Sequence, residues 1–157
     1  MRSESKTRVT EKNSPTHFHR KAAPVNSVRI LLADDHPDVL EKVTQLLEAR
    51  YDVVGTVSDG QSLVNAVGRL NPDILVIDIT MPILTGIEAA KQLKEGGCES
   101  KIIFLTVHAD PDYVRACLAA GAFGYVVKAR MKTDLLHAVQ EVLAGHIFIS
   151  PTSSSQH

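Results

Sequence analysis

Five short apolar runs, separated by stretches with helical periodicity, constrain the fold more than any other feature of this sequence. Each run is four to six residues long and nearly continuous in apolar residues, as expected for parallel strands that are buried on both faces. Between the runs, apolar residues recur at i, i+3 or i+4 and i+7, which is the spacing of an amphipathic helix. The five runs are Val28–Ala33, Asp52–Val57, Asp73–Ile77, Lys101–Leu105 and Gly124–Val127.

Each apolar run is followed by one helical stretch, so the sequence contains five strand-then-helix units. Such repeats predict an α/β fold, a doubly wound parallel sheet with helices on both faces. The positions of proline and glycine agree with this division, because Pro37 suits the first turn of a helix, and Gly121 and Gly145 suit the ends of helices. We therefore expect one α/β domain from residue 28 to residue 149.

The two ends of the chain lack this periodicity. Residues 1–27 contain six Lys and Arg residues against two Glu residues and are predicted to be a disordered basic tail. This tail either contacts nucleic acid or an acidic partner, or is an extension without a role of its own. Residues 150–157 are predicted to be a second disordered tail or the start of a linker.

Composition excludes several classes of protein. A chain of 157 residues is long enough for one core, and its net charge of −1 does not indicate a nucleic-acid or acidic-membrane partner. No apolar run reaches the roughly 18–20 residues of a membrane span, and no signal peptide is evident. The two cysteines, Cys98 and Cys117, match neither a disulfide scaffold nor a zinc site. The sequence therefore predicts a cytoplasmic protein without a membrane partner.

Polar residues follow four of the five predicted strands. In open α/β sheets, ligands bind outside the carboxyl ends of the strands. We therefore expect three carboxylates, a hydroxyl and an ammonium group to converge on one edge of the sheet. These residues are Asp34 and Asp35 after the first strand, Asp78 after the third, and Thr106 and Lys128 at the ends of the fourth and fifth.

Each of these residues also has a structural explanation of its own. Asp34 or Asp35 can cap the following helix. Asp78 can open a turn, and Lys128 can be a solvated charge. Two carboxylates about 4 Å apart, at an effective dielectric constant near 20, repel by about 4 kcal/mol, and a divalent cation would offset this repulsion. Oxygen ligands with positions left for water and phosphate favour Mg²⁺ over zinc or calcium.

Four segments resemble those of a bacterial response-regulator receiver domain. They are "LLADDHP", "DILVIDITMPILTGIEA", "IIFLTVHAD" and "GAFGYVVKA", in that order, and the resemblance covers residues 28–149. It implies a flavodoxin-like (CheY-like) sheet of five strands in the order 2-1-3-4-5. It also implies that Asp78, after the third strand, accepts a phosphoryl group from a sensor histidine kinase.

By the same resemblance, the acidic residues bind Mg²⁺. Asp35 would ligate the ion directly and Asp34 would do so through a water molecule. Asp78 and the backbone carbonyl of Thr80 would complete the protein ligands. His36 is expected to start the following helix rather than to bind the metal.

The resemblance further implies a conformational switch. Thr106 and Lys128 would hold the phosphoryl oxygens, and Tyr125 would turn into the space that Thr106 vacates. The alternative is that Tyr125 is an ordinary aromatic residue of the core or surface. Ala129 follows the lysine where many family members have proline, which leaves the usual cis peptide bond open.

The segments "DDHP" and "AVQEVLAGHIFISP" are similar to those of the NarL/LuxR-type subfamily, whose receivers usually precede a helix-turn-helix DNA-binding domain. Such a receiver would reach DNA only through an output domain that this chain lacks, and phosphorylation would control dimerisation or the release of that domain. The alternative is a stand-alone receiver that binds a protein partner or passes the phosphoryl group on.

Two further classes compete with this interpretation. A phosphatase with an aspartyl nucleophile needs a second acid two residues after the nucleophile, where this chain has Thr80. An interaction module that works without phosphorylation would not need the complete set of charged residues. We expect a phosphorylatable switch and not an enzyme, with no catalysis beyond its own phosphorylation and dephosphorylation.

Overall fold

The computed structural model describes residues 10–11 and 27–151. No helix in these ranges is long and apolar enough to cross a membrane. The helices are α1 (Pro37–Glu48), α2 (Gly60–Leu70), α3 (Gly86–Glu95), α4 (Pro111–Ala119) and α5 (Met131–Leu143), and a short 3-10 helix spans Lys128–Arg130. The strands are β1 (Thr10–Glu11), β2 (Arg29–Ala33), β3 (Asp52–Val57), β4 (Ile74–Ile77), β5 (Lys101–Thr106), β6 (Gly124–Val127) and β7 (Phe148–Ile149).

The strands form one sheet in the order β1-β3-β2-β4-β5-β6-β7. Its five central strands, β3-β2-β4-β5-β6, are parallel and correspond to the order 2-1-3-4-5 of the predicted strands. The strand order reverses between β2 and β4, where doubly wound sheets open a crevice at the carboxyl ends of their strands. The predicted fold and strand order are confirmed.

The sheet separates two hydrophobic layers, because alternate residues of a strand face opposite sides. In β2, Ile30 and Leu32 pack in the layer that includes residues of α1 and α5. Leu31 and Ala33 pack in the layer that includes residues of α2, α3 and α4. All four side chains are buried. Burial on both faces explains why the apolar runs are continuous instead of alternating.

Strand β1 extends the sheet beside β3. The pairing is antiparallel, with Thr10 opposite Thr56 and Glu11 opposite Gly55. Thr10–Glu11 therefore depart from the predicted disordered tail, whereas residues 1–9 and 12–26 lie outside the described residues. Pairing at a sheet edge uses the backbone groups of β3, and no hydrophobic period is needed for it.

Strand β7 extends the sheet beside β6. Phe148 pairs with Gly124 and Ile149 with Tyr125, both in parallel orientation. Beyond β7, the N–H of Ser150 donates to the Tyr125 carbonyl oxygen at 2.8 Å, and the Ser150 side chain is buried. Ser150 therefore belongs to the packed domain, not to the tail predicted for residues 150–157, of which residues 152–157 lie outside the described residues. A strand of two residues is too short to show a sequence period.

Candidate functional site

The predicted polar residues meet at the carboxyl edge of the sheet. Strands β2 and β4 pair in register up to their last residues, so Asp34 and Asp78 follow neighbouring strands at the same level. The Asp78 N–H donates to the Ala33 carbonyl oxygen at 2.9 Å, which fixes this alignment. Thr106 ends β5, and Lys128 follows β6 at the same edge.

Lys128 lies between two buried carboxylates. Its Nζ atom is 2.8 Å from Asp34 Oδ2 and 3.2 Å from Asp78 Oδ2, and it donates a hydrogen bond to Asp78. Each aspartate is only 3% exposed. Burial acts to lower the pKa of the Lys128 ammonium group, but the interactions with Asp34 and Asp78 outweigh burial and raise it. Lys128 is therefore a charged and largely buried group, which excludes the alternative that it is a solvated side chain.

Lys128 does not fully satisfy Asp34. Asp34 Oδ2 has the Lys128 ammonium group as its partner at 2.8 Å and accepts no hydrogen bond from any other group of the described residues. Asp34 Oδ1 accepts a hydrogen bond from the His36 N–H at 2.9 Å. The N-cap of α1 is His36, and it has no side-chain cap. Asp34 therefore does not cap the helix, and its buried oxygen is available to a cation.

Burial and the nearby carboxylate of Asp34 disfavour the ionised form of Asp78 more than its partners favour it. Burial raises the pKa of the Asp78 carboxyl group, and the nearby carboxylate of Asp34 raises it further. Lys128 and the N–H of Thr80, which is 3.4 Å from Asp78 Oδ1, act in the opposite direction but do not cancel the increase. An additional cation near Asp78 would favour its ionised form.

Asp35 and His36 extend this acidic cluster towards solvent. Ligand atoms of Asp34, Asp35, His36 and Asp78 all lie within 4.8 Å of one another. The three carboxylates, those of Asp34, Asp35 and Asp78, form a set of hard oxygen donors that fits Mg²⁺.

His36 has two roles in this geometry. It begins helix α1 as its N-cap residue, as predicted. Its Nδ1 atom is also 2.9 Å from Asp34 Oδ1 and 3.2 Å from Asp35 Oδ1, and the hydrogen bond with Asp34 raises the pKa of the imidazole. The sequence reasoning did not predict these contacts. The available signal was the spacing of two residues between Asp34 and His36.

The backbone of His108 lies between Thr106 and Tyr125. Its N–H donates to Thr106 Oγ1 at 3.2 Å, and its carbonyl oxygen accepts a hydrogen bond from the Tyr125 hydroxyl at 2.7 Å. Tyr125 is fully buried, and burial raises the pKa of its phenol, which therefore remains a donor. The His108 ring stacks on Tyr113 with 4.1 Å between ring centroids. Tyr125 is thus a core residue that also fixes the segment between β5 and α4.

The loop between β4 and α3 is held close to Asp78. A Cβ atom on Gly86 would lie 2.1 Å from the Asp78 carbonyl oxygen, so only glycine fits there. Ile83 in the same loop has a φ of +73° and is 75% exposed. A β-branched residue with positive φ is strained. Nothing in the sequence indicated this strain, because isoleucine does not favour positive φ.

The Lys128–Ala129 peptide bond is trans, as are all peptide bonds of the described residues. The usual cis bond, which the sequence had left open, is therefore not formed here. Lys128 instead starts the short 3-10 helix that leads into α5.

A family model for the response regulator receiver domain matches residues 30–140. The chain belongs to this family. The matched range contains all the residues of the acidic edge described above. Receiver domains bind Mg²⁺ at an acidic pocket and are generally phosphorylated by a histidine kinase.

The receiver domain is similar to known transcription regulators. It is 35% identical to the transcriptional regulatory protein DegU of Brevibacillus brevis, over 80% of this chain and 54% of DegU. It is 34% identical to the nitrate/nitrite response regulator NarL of Escherichia coli (strain K12), over 77% of this chain and 57% of NarL. A LuxR-family response regulator from Aurantimonas sp. SI85-9A1 superposes with a TM-score of 0.77 at 34% identity, over 80% of this chain and 91% of that one.

These similarities place the chain among receivers of the NarL/LuxR type. The chain is the receiver domain of a response regulator related to these transcription regulators. It spans little more than half the length of DegU and of NarL.

Proposed function

We propose that this receiver domain accepts a phosphoryl group on Asp78 from a phosphohistidine of a sensor histidine kinase. The observation that carries the proposal is the position of Asp78, a buried carboxylate at a strand end with Lys128 Nζ 3.2 Å away. The completeness of the acidic cluster around it supports the same role.

The transfer is a single displacement at phosphorus. A carboxylate oxygen of Asp78 forms the new P–O bond while the P–N bond to the donor imidazole breaks. The imidazole nitrogen keeps the electron pair and takes up a proton. Lys128 offsets the negative charge on the transferring oxygens, and the fixed position of Asp78 supplies alignment.

Asp34, Asp35, Asp78 and the Thr80 backbone carbonyl are the residues that would hold Mg²⁺. When bound, the ion supplies positive charge against the phosphoryl oxygens. The convergence of these carboxylates within 4.8 Å of one another supports this assignment. The carboxylate of Asp34 beside Asp78 supports it as well, since a divalent cation would offset the repulsion between the two.

The phosphorylated form changes the segment between β5 and α4. The hydroxyl group of Thr106 turns to donate to a phosphoryl oxygen, and this movement alters its contact with the His108 N–H. Tyr125 then turns further into the space that Thr106 vacates, and because its hydroxyl donates to the His108 carbonyl oxygen, this movement also shifts residues 107–110. The surface of α4 then differs between two states, and a partner selects between them.

The output of this switch is transcription through a DNA-binding domain outside this chain. Support comes from DegU, a transcriptional regulatory protein, and from the response regulator NarL, of which the chain covers only 54% and 57%. Such a response regulator couples phosphorylation to DNA binding by dimerisation or by release of the DNA-binding domain.

Intact mass after incubation with Mg²⁺ and acetyl phosphate tests the phosphoryl chemistry. The native chain is expected to gain the mass of one phosphoryl group, and the gain should require Mg²⁺. Asp78→Ala should gain nothing, whereas Asp52→Ala, which removes a carboxylate at the start of β3, should react like the native chain. An adduct that persists in Asp78→Ala would refute the assigned acceptor. The absence of any adduct on the native chain would refute the proposed function.

A further inference from the structure

The turn that carries Lys128 is anchored on both sides by side-chain hydrogen bonds. Before the lysine, the Val127 N–H donates to Ser150 Oγ at 3.2 Å. After it, Arg130 Nε donates to Asp134 Oδ2 at 2.8 Å. Lys128 is therefore attached to a short 3-10 helix whose two ends are each bound to another part of the domain.

The two anchors meet at one carboxylate. Ser150 Oγ donates to Asp134 Oδ2 at 2.6 Å, so Ser150 links the Val127 backbone to the residue that binds Arg130. The Thr133 hydroxyl lies 3.1 Å from Asp134 Oδ1. Asp134 is only 6% exposed, and a buried carboxylate is stable only when its oxygens accept hydrogen bonds. The network is therefore built around Asp134 and is complete.

The turn after Lys128 has no covalent constraint of its own. The bond after Lys128 is trans and is followed by Ala129, so no proline ring restricts the backbone there. Without a proline ring, the direction of the Lys128 side chain depends on the groups that hold Val127 and Arg130 in place. Both are held through Asp134 and Ser150.

We propose that Asp134 and Ser150 are positioning residues for Lys128, which keep its ammonium group between Asp34 and Asp78. This inference depends on the proposed function, since it assigns Lys128 to the transferring phosphoryl group. Ser150 is also the residue that directly follows β7. By thermodynamic reciprocity, a charge change at Asp78 that shifts Lys128 also shifts the hydrogen bonds of Ser150. The network thus links the acceptor to the C-terminal end of the packed domain.

The first test measures the maximal rate of phosphorylation at saturating acetyl phosphate and Mg²⁺. Ser150→Ala and Asp134→Asn are expected to lower this rate by about tenfold, as for a displaced catalytic group. Ser62→Ala is the matched control, because Ser62 is also a buried serine whose hydroxyl donates to a buried aspartate, Asp59, at 2.9 Å. It should leave the rate unchanged. Circular dichroism on each variant confirms folding, and Ser150→Ala alone carries the test if Asp134→Asn does not fold.

A double-mutant comparison separates positioning from general destabilisation. In a Lys128→Ala background, Ser150→Ala is expected to lower the residual rate by no more than about twofold, because the group that it positions is gone. A further loss as large as in the native background would show that Ser150 does not act through Lys128 and would overturn the proposal.

Amide hydrogen exchange gives a measurement independent of the reaction rate. The Val127 and Ser150 amides should change their protection when Asp78 is phosphorylated in the native chain, and should not change in Lys128→Ala labelled to the same extent. Unchanged protection in the native chain overturns the proposal. A native chain that takes up no phosphoryl group refutes the proposed function itself. If the native chain is phosphorylated, and Ser150→Ala lowers its rate no more than Ser62→Ala does, only the positioning role is refuted.

Discussion

Two buried aspartates of this domain have opposite surroundings. Asp134 accepts hydrogen bonds from Arg130, Thr133 and Ser150, and although burial acts to raise the pKa of its carboxyl group, these bonds lower it. Asp78 has Lys128 as a partner, but burial and the charge of Asp34 leave its pKa raised. The hydrogen bonds of Asp134 outweigh the effect of burial on its pKa, whereas those of Asp78 do not.

This difference between Asp134 and Asp78 distinguishes a carboxylate that stabilises the fold from one that belongs to a functional site. A carboxylate whose hydrogen bonds are complete stabilises the fold, because its charge is fully compensated. A carboxylate with incomplete compensation is costly in the free domain and gains from a cation or from reaction, which is the usual property of a functional site. Backbone strain follows the same division, since Ile83 lies in the loop beside Asp78.

The largest expected effect is on metal binding. Asp34→Asn removes one of the three clustered carboxylates, and should weaken Mg²⁺ binding by at least about tenfold because one full charge is lost. Without metal, the free energy of unfolding should change by less than about 1 kcal/mol, since relief of repulsion at Asp78 offsets the lost ion pair with Lys128. Calorimetric titration with Mg²⁺ and urea unfolding in a chelator measure the two quantities. A variant with native Mg²⁺ affinity would contradict the assignment of Asp34.

Asp134→Asn should have the opposite effects, with a loss of stability and almost no change in Mg²⁺ binding. It exchanges a satisfied carboxylate for an amide that cannot accept all the same hydrogen bonds, and should lower the free energy of unfolding by about 2 kcal/mol. Mg²⁺ affinity should remain within about twofold, because Asp134 is not one of the clustered carboxylates and acts on them only through the position of Lys128. Urea unfolding and Mg²⁺ titration of this variant, side by side with Asp34→Asn, decide the comparison. If both variants lost stability equally, the division into satisfied and unsatisfied carboxylates would be wrong.

The hydrogen-bond network around Asp134 could not be predicted from the sequence, whereas the acidic cluster could. Asp34, Asp78 and Lys128 each follow an apolar run, and the rule that parallel strands end at one edge brings them together. Asp134 and Ser150 are 16 residues apart, and no periodic pattern relates them. Their contact depends on strand β7, which has only two residues. The sequence therefore predicted the central strands and the acidic edge but not the edge strands or the network.

Cavity size would not have located the site either. A cleft of about 930 Å³ lies at the opposite edge of the sheet, where Asp73 and Lys101 mark the amino ends of two strands. The acidic cluster lies at the other edge and does not line this cleft. What distinguishes it is the convergence of charged residues, which the sequence showed directly.

The pH dependence of stability should distinguish the two aspartates. The folded pKa of Asp134 lies below its unfolded value of about 3.9, so Asp134 stabilises the domain above about pH 4, and this stabilisation is lost as the pH falls through the folded pKa. The folded pKa of Asp78 lies above its unfolded value, so stability is lost as the pH rises from about 4 through that pKa.

Urea unfolding of Asp78→Asn and Asp134→Asn between about pH 3 and pH 7, in a chelator, measures both contributions. Relative to the native chain, Asp78→Asn should gain stability with rising pH, and the deficit of Asp134→Asn should shrink below about pH 4. Parallel curves for the native chain and both variants would show that neither carboxyl group has the assigned shift.

The smallest expected effect concerns the strain beside Asp78. Ile83→Gly should raise the free energy of unfolding by up to about 1 kcal/mol, because relief of an isoleucine at φ +73° exceeds the entropy that glycine adds to the unfolded chain. Val107→Gly is the matched control, since Val107 is an exposed β-branched residue without positive φ in the segment before α4. It should lower the free energy of unfolding by about 0.5–1 kcal/mol. If both glycine variants were destabilised alike in urea, Ile83 would carry no strain, and unsatisfied charge alone would distinguish the acidic edge from the network around Asp134.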